Sequence, residues 1–504
     1  MNIPEFCGNV VEEGRSMNQD QLRNLKAVLE LSRSFHKSAK IPYEKERVDE
    51  ETLVVETGHQ PLFLPYPGIW RKAFLAEFLE KTIEKLGRRA VALFGFLDYD
   101  FSSSKLLFQN RIPKMNKHGF LNIGVRRPDD STIWRRFNTL PKPPEEKWEK
   151  TVSDISRNYS GVENVSEIVE ELWTSYDLSK NFADLNAISF ARISNLMGID
   201  VHFFRSSDVQ REKLFERVWR EVFERLDEFN IVQNETADKH DLEELKAGES
   251  DLPFWYHCEC GGKVSMERKK NEFSGTCSLC KKVVTVTEPL KDFEKLSPKA
   301  VMRNVLFFEG LKTSIFVTGS GGSLKYGLIS NEISKTFEFN VPKTVFWEAF
   351  DVYLGREHKI AVDSVVKEFN VDRENITDKK TILSKVESRR RQIAAKMSGI
   401  NEKKVKKRFL SEYKKTSNVL SSVGNLFSLK PSIVDVVANV GKEKMVSSWS
   451  SALTESRVVR NGEGEFYKIE AEVFYDSPEV FEIYEVLRDV GKQNLKIDPL
   501  GILG

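Results

Sequence analysis

Four of the five cysteines of this 504-residue chain lie in one short window, WYHCECGGKVSMERKKNEFSGTCSLCKKVV at residues 255–284. They form two close pairs, Cys258 with Cys260 and Cys277 with Cys280. Four thiolates in two tight turns match the tetrahedral, all-sulfur coordination of a structural zinc ion. The sequence therefore predicts a zinc ribbon that these four cysteines hold together, in a protein of a reducing compartment.

Alternatives to this structural zinc site remain open. The first pair is C-x-C and not C-x-x-C, so His257 is a reserve ligand. A disulfide, or cysteines clustered by chance, would give the same spacing. A catalytic zinc would need an open coordination position, which four protein ligands fill. We therefore look for the chemistry elsewhere in the chain.

Composition limits the class of protein. The chain is 40% hydrophobic and 30% charged with a formal net charge of +1, so it has no general attraction for nucleic acids or anionic membranes. Its longest apolar run, about Ala90 to Leu97, is far shorter than the roughly 18 residues of a membrane span. The N-terminal residues lack the basic start and apolar run of a signal peptide. We expect a cytoplasmic protein without a membrane partner.

A strand, a loop and a helix follow one another between residues 51 and 85. Leu53–Val55 is a β-branched run, TGHQ at residues 57–60 breaks it, and apolar residues then recur at helical spacing from Ile69 to Ile83. Parallel α/β sheets bind ligands at the carboxyl ends of their strands. The loop therefore supplies the first candidate site residues, Gly58, His59 and Gln60. The alternative for the histidine is a purely local bond to the backbone.

A second strand, Ala90–Leu97, ends in Asp98-Tyr99-Asp100. If strand geometry persists, side chains alternate and the two carboxylates point to the same side, where they could bind a cation or an amine. Asn110 and Arg111 follow in an FQNR segment that opens a predicted hairpin. Both are candidate contacts for an anion or amide, or structural residues of that loop.

The middle of the chain is predominantly helical. Residues 141–234 show helical spacing, with one long helix predicted over Val209–Phe229 and a short strand before it at residues 198–204. Residues 235–250 are acidic and without periodicity, which is typical of a linker.

A glycine-rich loop follows the cysteine window. A strand at Thr313–Val317 leads into TGSGGS at residues 318–323, and a helix is predicted from Leu324 to about Phe337. Backbone N–H groups at a helix N-terminus bind phosphate or carboxylate. A turn that needs positive φ at glycine is the alternative. Another strand is predicted over Lys343–Phe350. The candidate ligand-binding residues of the loop are Gly319, Ser320, Gly321, Gly322 and Tyr326.

Residues 376–429 carry apolar stripes that predict an antiparallel helical hairpin with a turn at 398–401. Its basic clusters, Arg389–Arg391 and Lys403–Arg408, are either solvated faces or a docking site for a polyanion. Taken together, the patterns divide the chain into five segments: an α/β core with a helical insertion (1–250), the zinc ribbon (251–290), the second part of the core (291–365), the helical hairpin (366–430), and a segment that returns to the core (431–504).

Several of these segments occur in one characteristic order. The strand with TGHQ, the strand ending in DYDF, the FVTGSGGSLKYG loop and the helical hairpin together resemble the bacillithiol-biosynthesis cysteine-adding enzyme (BshC) family. That family usually has two glutamines where this chain has His59 and Gln60. The block HQPLFLPYPGIWRK, with FQNR after it, is also similar to WbqC-like proteins.

The BshC resemblance implies an α/β fold with a Rossmann-like parallel-sheet core and a projecting coiled coil. It implies a carbon–nitrogen ligase that adds cysteine to the amine of a glucosaminyl-malate and can bind an adenine nucleotide. Asp98 or Asp100 would orient or deprotonate the ammonium, and His59 and the glycine-loop amides would receive negative charge. The alternative is a nucleic-acid-binding zinc-ribbon protein, or a WbqC-like protein without ligase activity. A homodimer is compatible with either interpretation.

Overall fold

The computed structural model of the chain describes residues 1–270, 272–398, 403–461, 466–476 and 479–494. The strands are β1 Leu53–His59, β2 Ala90–Phe96, β3 Gln109–Pro113, β4 Phe120–Gly124, β5 His202–Arg205, β6 Asp251–His257, β7 Lys263–Lys269, β8 Glu272–Thr276, β9 Val283–Val286, β10 Leu296–Pro298, β11 Thr313–Thr318, β12 Lys343–Trp347, β13 Asp351–Val352, β14 Arg457–Asn461, β15 Phe466–Glu470 and β16 Val473–Phe474. The α-helices are α1 Ile3–Glu13, α2 Gln19–Ala39, α3 Pro67–Lys85, α4 Glu145–Asn158, α5 Glu163–Leu178, α6 Phe182–Leu196, α7 Ser206–Arg211, α8 Glu216–Glu224, α9 Leu226–Lys239, α10 Ala300–Gly310, α11 Gly322–Thr336, α12 Arg356–Phe369, α13 Lys379–Ser398, α14 Lys403–Phe427, α15 Ile433–Val440, α16 Lys442–Thr454 and α17 Glu479–Asn494.

A seven-stranded sheet forms the core, in the order β14-β15-β12-β11-β1-β2-β5. All its neighbouring strands pair in parallel except β14, which runs antiparallel at the edge. Counted along the chain, the parallel strands stand in the order 3-2-1-4-5-6, which is that of a Rossmann fold. The predicted parallel α/β core is therefore confirmed. The order reverses between β1 and β11, and ligands bind at that reversal in folds of this kind.

Hydrophobic clusters cover both faces of this sheet. Leu53 and Val55 of β1 belong to one cluster, with α3 and α6, and Val54 belongs to the other, with α10 and α11. Every residue of β2 is buried. Strands buried on both faces show the continuous apolar runs by which the sequence predicted them.

The first strand is longer than predicted. Instead of ending at Val55, β1 continues through Gly58 and His59, which pair with Gly95 and Phe96 of β2. A Cβ atom on Gly58 would lie 2.7 Å from the carbonyl oxygen of Gly95, so the strands approach too closely for a side chain. Glycine at this position extends the strand and does not break it, which brings His59 to the edge of the sheet.

The prediction of one long helix over Val209–Phe229 is wrong. Three shorter helices, α7, α8 and α9, replace it, and Lys213 and Phe215 have positive φ angles. The break allows the ring of Phe215 to pack 5.1 Å from that of Phe307. The spacing of apolar residues in the sequence does not indicate such a break between helices. The supposed linker is partly ordered as well, because α9 runs to Lys239.

The cysteine module is a five-stranded antiparallel sheet in the order β10-β6-β7-β8-β9. It extends beyond residue 290, since β10 pairs with β6. Side chains of β6 and β7 share a hydrophobic cluster with α8 and α10. The module therefore packs against the core through hydrophobic side chains, in addition to its covalent connection through the chain.

The helices after residue 355 form a third hydrophobic cluster, contributed by α12, α13, α14 and α17. Where α14 and α17 cross, a Cβ on Gly424 would lie 2.5 Å from the Cα of Gly491. The two helices of the predicted hairpin are present, but they pack with two further helices. A coiled coil stays a prediction, and the predicted turn at 398–401 falls largely outside the described residues.

The segment after residue 441 adds β14 and β15 to the main sheet and thus returns to the core, as the sequence predicted. The limits of the five segments themselves stay predictions. Within the described ranges, no helix combines the length and the apolar character that crossing a membrane requires.

Candidate functional site

Two cavities open at the carboxyl ends of β1 and β11. The first, which we call the glycine-loop cavity, has a volume of about 330 Å³ and lies between the start of α3, the Gly319–Ser323 loop and α17. The second, the module cavity, has a volume of about 540 Å³ and lies between the main sheet and the cysteine module. His59 and Ser323 line both cavities. The crevice at the strand-order reversal is therefore a two-compartment site.

His59 stands between the two compartments. Its Nδ1 lies 3.0 Å from the carbonyl oxygen of Gln60, which can only accept, so Nδ1 carries the hydrogen. Burial, together with the positive charge of Lys72, lowers the pKa of His59 to about 4. The ring is thus neutral at pH 7, and Nε2 is left as an acceptor. In this state His59 can orient an amine or hydroxyl but cannot receive negative charge, contrary to the role that the resemblance implied.

Gln60 and Asp100 meet in the module cavity. The Gln60 Nε2 donates to Asp100 Oδ2 at 3.0 Å. Asp100 Oδ1 lies 3.5 Å from Arg303 Nη1. The predicted loops therefore do converge, and Asp100 keeps one face toward the cavity.

Asp98 points elsewhere, although the sequence placed it on the same side as Asp100. Its carboxylate accepts hydrogen bonds from the Ser207 backbone N–H at 3.0 Å, from the Ser207 hydroxyl, and from Asn138 Nδ2 at 3.3 Å. β2 ends at Phe96, so residues 98–100 form a turn and side-chain alternation is lost. Burial raises the pKa of Asp98 to about 6. Asp98 anchors the start of α7 and does not line either cavity.

Two buried titratable side chains, Lys72 and Glu56, lie beneath the two compartments. Lys72 Nζ donates to the carbonyl oxygen of Gly58 at 2.7 Å, and burial lowers its pKa to about 8. Burial raises the pKa of Glu56 to about 7, and the Thr313 hydroxyl donates to its carboxylate at 3.0 Å. Both residues line a small pocket of about 80 Å³ together with Arg303 and Tyr326. Lys72 also lines the glycine-loop cavity, where its ammonium can attract an anion.

The glycine-rich loop borders the glycine-loop cavity. Gly319, Gly321 and Gly322 are not among the glycines with positive φ. A Cβ on Gly319 or Gly321 would meet no atom within 4 Å, so neither strain nor crowding within the chain requires glycine at these two positions. The tight-turn alternative is therefore wrong. The loop leads into α11, whose N-terminus has no side-chain cap. Its backbone N–H groups can bind anionic oxygens.

The other residues predicted for this loop lie close by. Ser320 Oγ donates to Glu348 Oε1 at 3.0 Å on the rim of the glycine-loop cavity. Tyr326, one turn into α11, lines the module cavity.

Asn110 and Arg111 lie outside both cavities. Asn110 Nδ2 donates to the carbonyl oxygen of Leu64 at 2.7 Å, and the Arg111 guanidinium lies 4.8 Å from the centre of the Phe120 ring. Both are structural residues of the β3–β4 hairpin, which was the alternative interpretation.

Four cationic residues that line the module cavity were missed by sequence reasoning: Lys246, Lys263, Lys299 and Arg303. Lys263 begins β7 of the module, and Arg303 lies in the first turns of α10. Lys299 Nζ lies 5.3 Å from the ring centre of Trp255, which also lines the cavity. No sequence motif marks these residues, because they reach the site through the packing of the module and of α10 against the main sheet.

The four module cysteines form a compact cluster. Their sulfur atoms all lie within 4.8 Å of one another, with Cys258 3.7 Å from Cys280 and Cys260 3.5 Å from Cys277. A tetrahedron with Zn–S bonds of about 2.3 Å has edges of about 3.8 Å, close to these distances. All four thiols are free, which contradicts the disulfide alternative. The cluster is compatible with a bound metal ion.

The surroundings of the cluster support the same conclusion. A Cβ on Gly262 would lie 2.7 Å from the Cys277 sulfur, so glycine is required where the two turns meet. His257, the reserve ligand, is not part of the cluster, since its Nδ1 pairs with Arg136 Nη1 at 3.1 Å. The four cysteines are therefore the residues that could hold a metal ion.

The basic cluster of α13 is largely neutralised. Arg389 pairs with Glu412 at 2.9 Å, Arg391 pairs with Glu387 at 3.0 Å, and Arg390 is buried. These side chains do not present a row of unpaired charges to a polyanion.

Comparisons with known proteins are sparse. No protein-family model and no curated protein matches the chain. The solved structures that match include one described as "putative arginyl t-RNA synthetase" from Campylobacter jejuni, with 8% identity, a TM-score of 0.23, and coverage of 93% of this chain and 97% of that one. A similarity this low does not show a shared fold or function.

Proposed function

We propose that the protein is an enzyme that joins two small molecules through a carbon–nitrogen bond. The observation that carries this proposal is the two-compartment crevice, in which His59 and Ser323 face both cavities. A single-substrate reaction needs one pocket, whereas a ligation needs two substrates held with their reacting atoms at a shared boundary.

The charges of the crevice favour anionic substrates. Lys72 and the N-terminus of α11 face the glycine-loop cavity, and Arg303 faces the module cavity. These groups suit the carboxylate of an amino acid and the phosphates of a nucleotide. Asp100, which accepts a hydrogen bond from Gln60, supplies a carboxylate that would hold an ammonium near neutral His59.

Amide formation at this site has a defined balance. A nucleoside triphosphate activates the carboxyl group of one substrate by transferring a phosphoryl group to a carboxyl oxygen, with release of the nucleoside diphosphate, or a nucleotidyl group, with release of pyrophosphate. The amine nitrogen of the second substrate then bonds to the carboxyl carbon, loses a proton, and displaces that oxygen with its attached group. Loop amides at Gly321 and Gly322 are placed to stabilise the developing oxyanion. Asp100, with His59 Nε2, orients the attacking amine.

The finer assignment follows the BshC resemblance: cysteine as the amino acid and a glucosaminyl-malate as the amine, in the synthesis of a low-molecular-weight thiol. The residues that carry it are Gly58, His59, Gln60, Asp100 and the Gly319–Gly322 loop. Asp98, which lies away from both cavities, has a structural role in this proposal.

The metal that fits the cysteine cluster is zinc, which prefers four thiolates at these separations. Four protein ligands fill its coordination sphere, so it stabilises the module and takes no part in bond formation. Cys258, Cys260, Cys277 and Cys280 would hold it.

The proposal is tested by comparing thiol metabolites in wild-type and deletion cells. We expect the deletion to lack one low-molecular-weight thiol and to accumulate its amine precursor. Wild-type protein and Asp130→Asn, an exposed control, should restore the thiol, whereas Asp100→Asn should not. Unchanged thiol pools in the deletion would contradict the proposal and would favour a WbqC-like protein without ligase activity.

A nucleic-acid-binding function is the weaker candidate. The α13 arginines are paired with carboxylates or buried, and the net charge of +1 gives nucleic acid no general attraction. Strong RNA binding that weakens steeply with salt, without binding of small anions, would reverse this order.

A further inference from the structure

Lys263 is the least expected side chain of the module cavity. The residue is 1% exposed, yet it lines the cavity. Its ammonium lies 5.3 Å from the ring centre of Tyr99, 5.2 Å from that of Phe101 and 5.8 Å from that of Trp255. Among the described residues, no carboxylate or carbonyl group makes an ion pair or hydrogen bond with this ammonium. A buried ammonium without such a partner is costly to the fold.

The carboxylates of Asp98 and Asp100 lie near Lys263 but compensate its charge only in part. Asp98 is bound by Ser207 and Asn138, and Asp100 is held by Gln60 and Arg303. Lys246, Lys299 and Arg303 add further positive charges to the same cavity, which Asp251 and Glu244 also line. Three aromatic faces stabilise the Lys263 ammonium in part, but they cannot accept its strong hydrogen bonds. The described side chains that line the cavity therefore carry four cationic groups against three carboxylates, and the Lys263 ammonium has no hydrogen-bonding partner among them.

We propose that Lys263 and Arg303 form a subsite in the module cavity that binds an anionic oxygen group, a carboxylate or a phosphate, of a substrate. The cysteine module is then part of the substrate site, and its metal cluster fixes the position of Lys263. The subsite deepens the proposed function, and its functional consequence rests on that function.

The position of Lys263 follows from the module's own geometry. Lys263 is the first residue of β7 and pairs with His257, the last residue of β6. It directly follows Gly261 and Gly262, which lie in the first cysteine turn. That turn is closed by a hydrogen bond from Gly261 N–H to the Cys258 carbonyl oxygen at 3.0 Å. Loss of the metal releases the turn and with it the start of β7. Anion binding at this subsite should therefore depend on the metal.

Calorimetric titration of the full-length, zinc-loaded protein with malonate and with inorganic phosphate tests the subsite. Removal of a charge-assisted hydrogen bond by Lys263→Met should weaken the affinity for the better probe by about tenfold to one-hundredfold. Lys269→Met, at the exposed end of the same strand, should bind within about twofold of the wild type. The stronger of the two probes identifies the group as carboxylate or phosphate. Unchanged affinity in Lys263→Met, or no binding of either probe to wild-type protein, would overturn the proposal.

A second measurement needs no variant of Lys263. Pyridoxal 5′-phosphate forms an imine with a lysine amine and releases water, and borohydride then fixes the product for peptide mapping. We expect modification of Lys263 that malonate or phosphate suppresses, and loss of that suppression after chelation of the metal. Modification of Lys269 without protectable modification of Lys263 would overturn the proposal.

The two proposals can fail separately. Anion binding that depends on Lys263, in a protein that forms no amide, leaves the subsite intact and refutes the ligase. Amide formation that proceeds normally in Lys263→Met refutes the subsite alone.

Discussion

Replacement of Lys72 by Met should stabilise the protein at neutral pH. Burial lowers the pKa of Lys72 from 10.5 to about 8, a shift that corresponds to about 3.4 kcal/mol of unfavourable charge burial. The variant also loses the hydrogen bond to the Gly58 carbonyl oxygen, and this loss reduces the gain in stability by about 1 kcal/mol. We therefore expect the free energy of unfolding at pH 7 to rise by about 2 kcal/mol.

The pH dependence gives this prediction a second signature. Because the folded pKa of Lys72 lies below the unfolded value, the unfolded chain binds more protons between about pH 8 and pH 10.5. Wild-type stability thus rises across this window, and the advantage of Lys72→Met should be full below pH 8 and vanish near pH 10.

Guanidinium denaturation, followed by tryptophan fluorescence at about pH 7 and pH 10, measures both effects. Lys85→Met, at the exposed C-terminal end of the same helix, is the matched control and should change stability by less than about 0.5 kcal/mol. A variant of Lys72 that is less stable than wild type at pH 7, or a gain that persists at pH 10, would refute the reasoning.

Three further predictions concern the metal, the sheet and the site. Protein purified under reducing conditions should contain about one zinc per chain by elemental analysis, and Cys277→Ser should lose both metal and module stability; absence of any transition metal would contradict this. Gly58→Ala should destabilise the fold by about 1–3 kcal/mol in thermal and chemical denaturation, because its Cβ would lie 2.7 Å from the Gly95 carbonyl oxygen, whereas Gly319→Ala has open space; equal stability of the two variants would count against the close strand packing. Asp100→Asn should abolish turnover while circular dichroism stays unchanged, since it removes charge without changing shape; full activity would exclude Asp100 from the site.

The core strands were predictable because their signals are local. β2 is buried on both faces, so a continuous apolar run marks it in the sequence. The convergence of His59 and Asp100 followed from a general property of parallel sheets, whose carboxyl ends lie at one edge. The cysteine cluster was predictable because two short turns with two cysteines each are typical of a four-thiolate metal site, and the four sulfur atoms do lie within 4.8 Å of one another.

The remaining features depend on contacts that no local pattern records. Asp98 points away from both cavities because β2 ends at Phe96, so the alternation of side chains along a strand does not extend to Asp98 and Asp100. Phe215 broke a regular apolar spacing by packing on a distant helix. Lys263 and Arg303 reach the site from the module and from α10, and their role depends on how those elements dock. Residue propensities and hydrophobic spacing predict individual helices and strands, whereas this site forms where several helices and strands pack together.

Incubation of purified protein with cysteine, glucosaminyl-malate and ATP, followed by mass spectrometry, is the most direct test of the central claim. We predict a product whose mass equals that of the two substrates less one water, formed by wild-type protein and not by Asp100→Asn. The opposite result is that zinc-loaded protein, with ATP present, leaves cysteine and glucosaminyl-malate unjoined. That result would contradict the claim that the two compartments at His59 serve this carbon–nitrogen ligation.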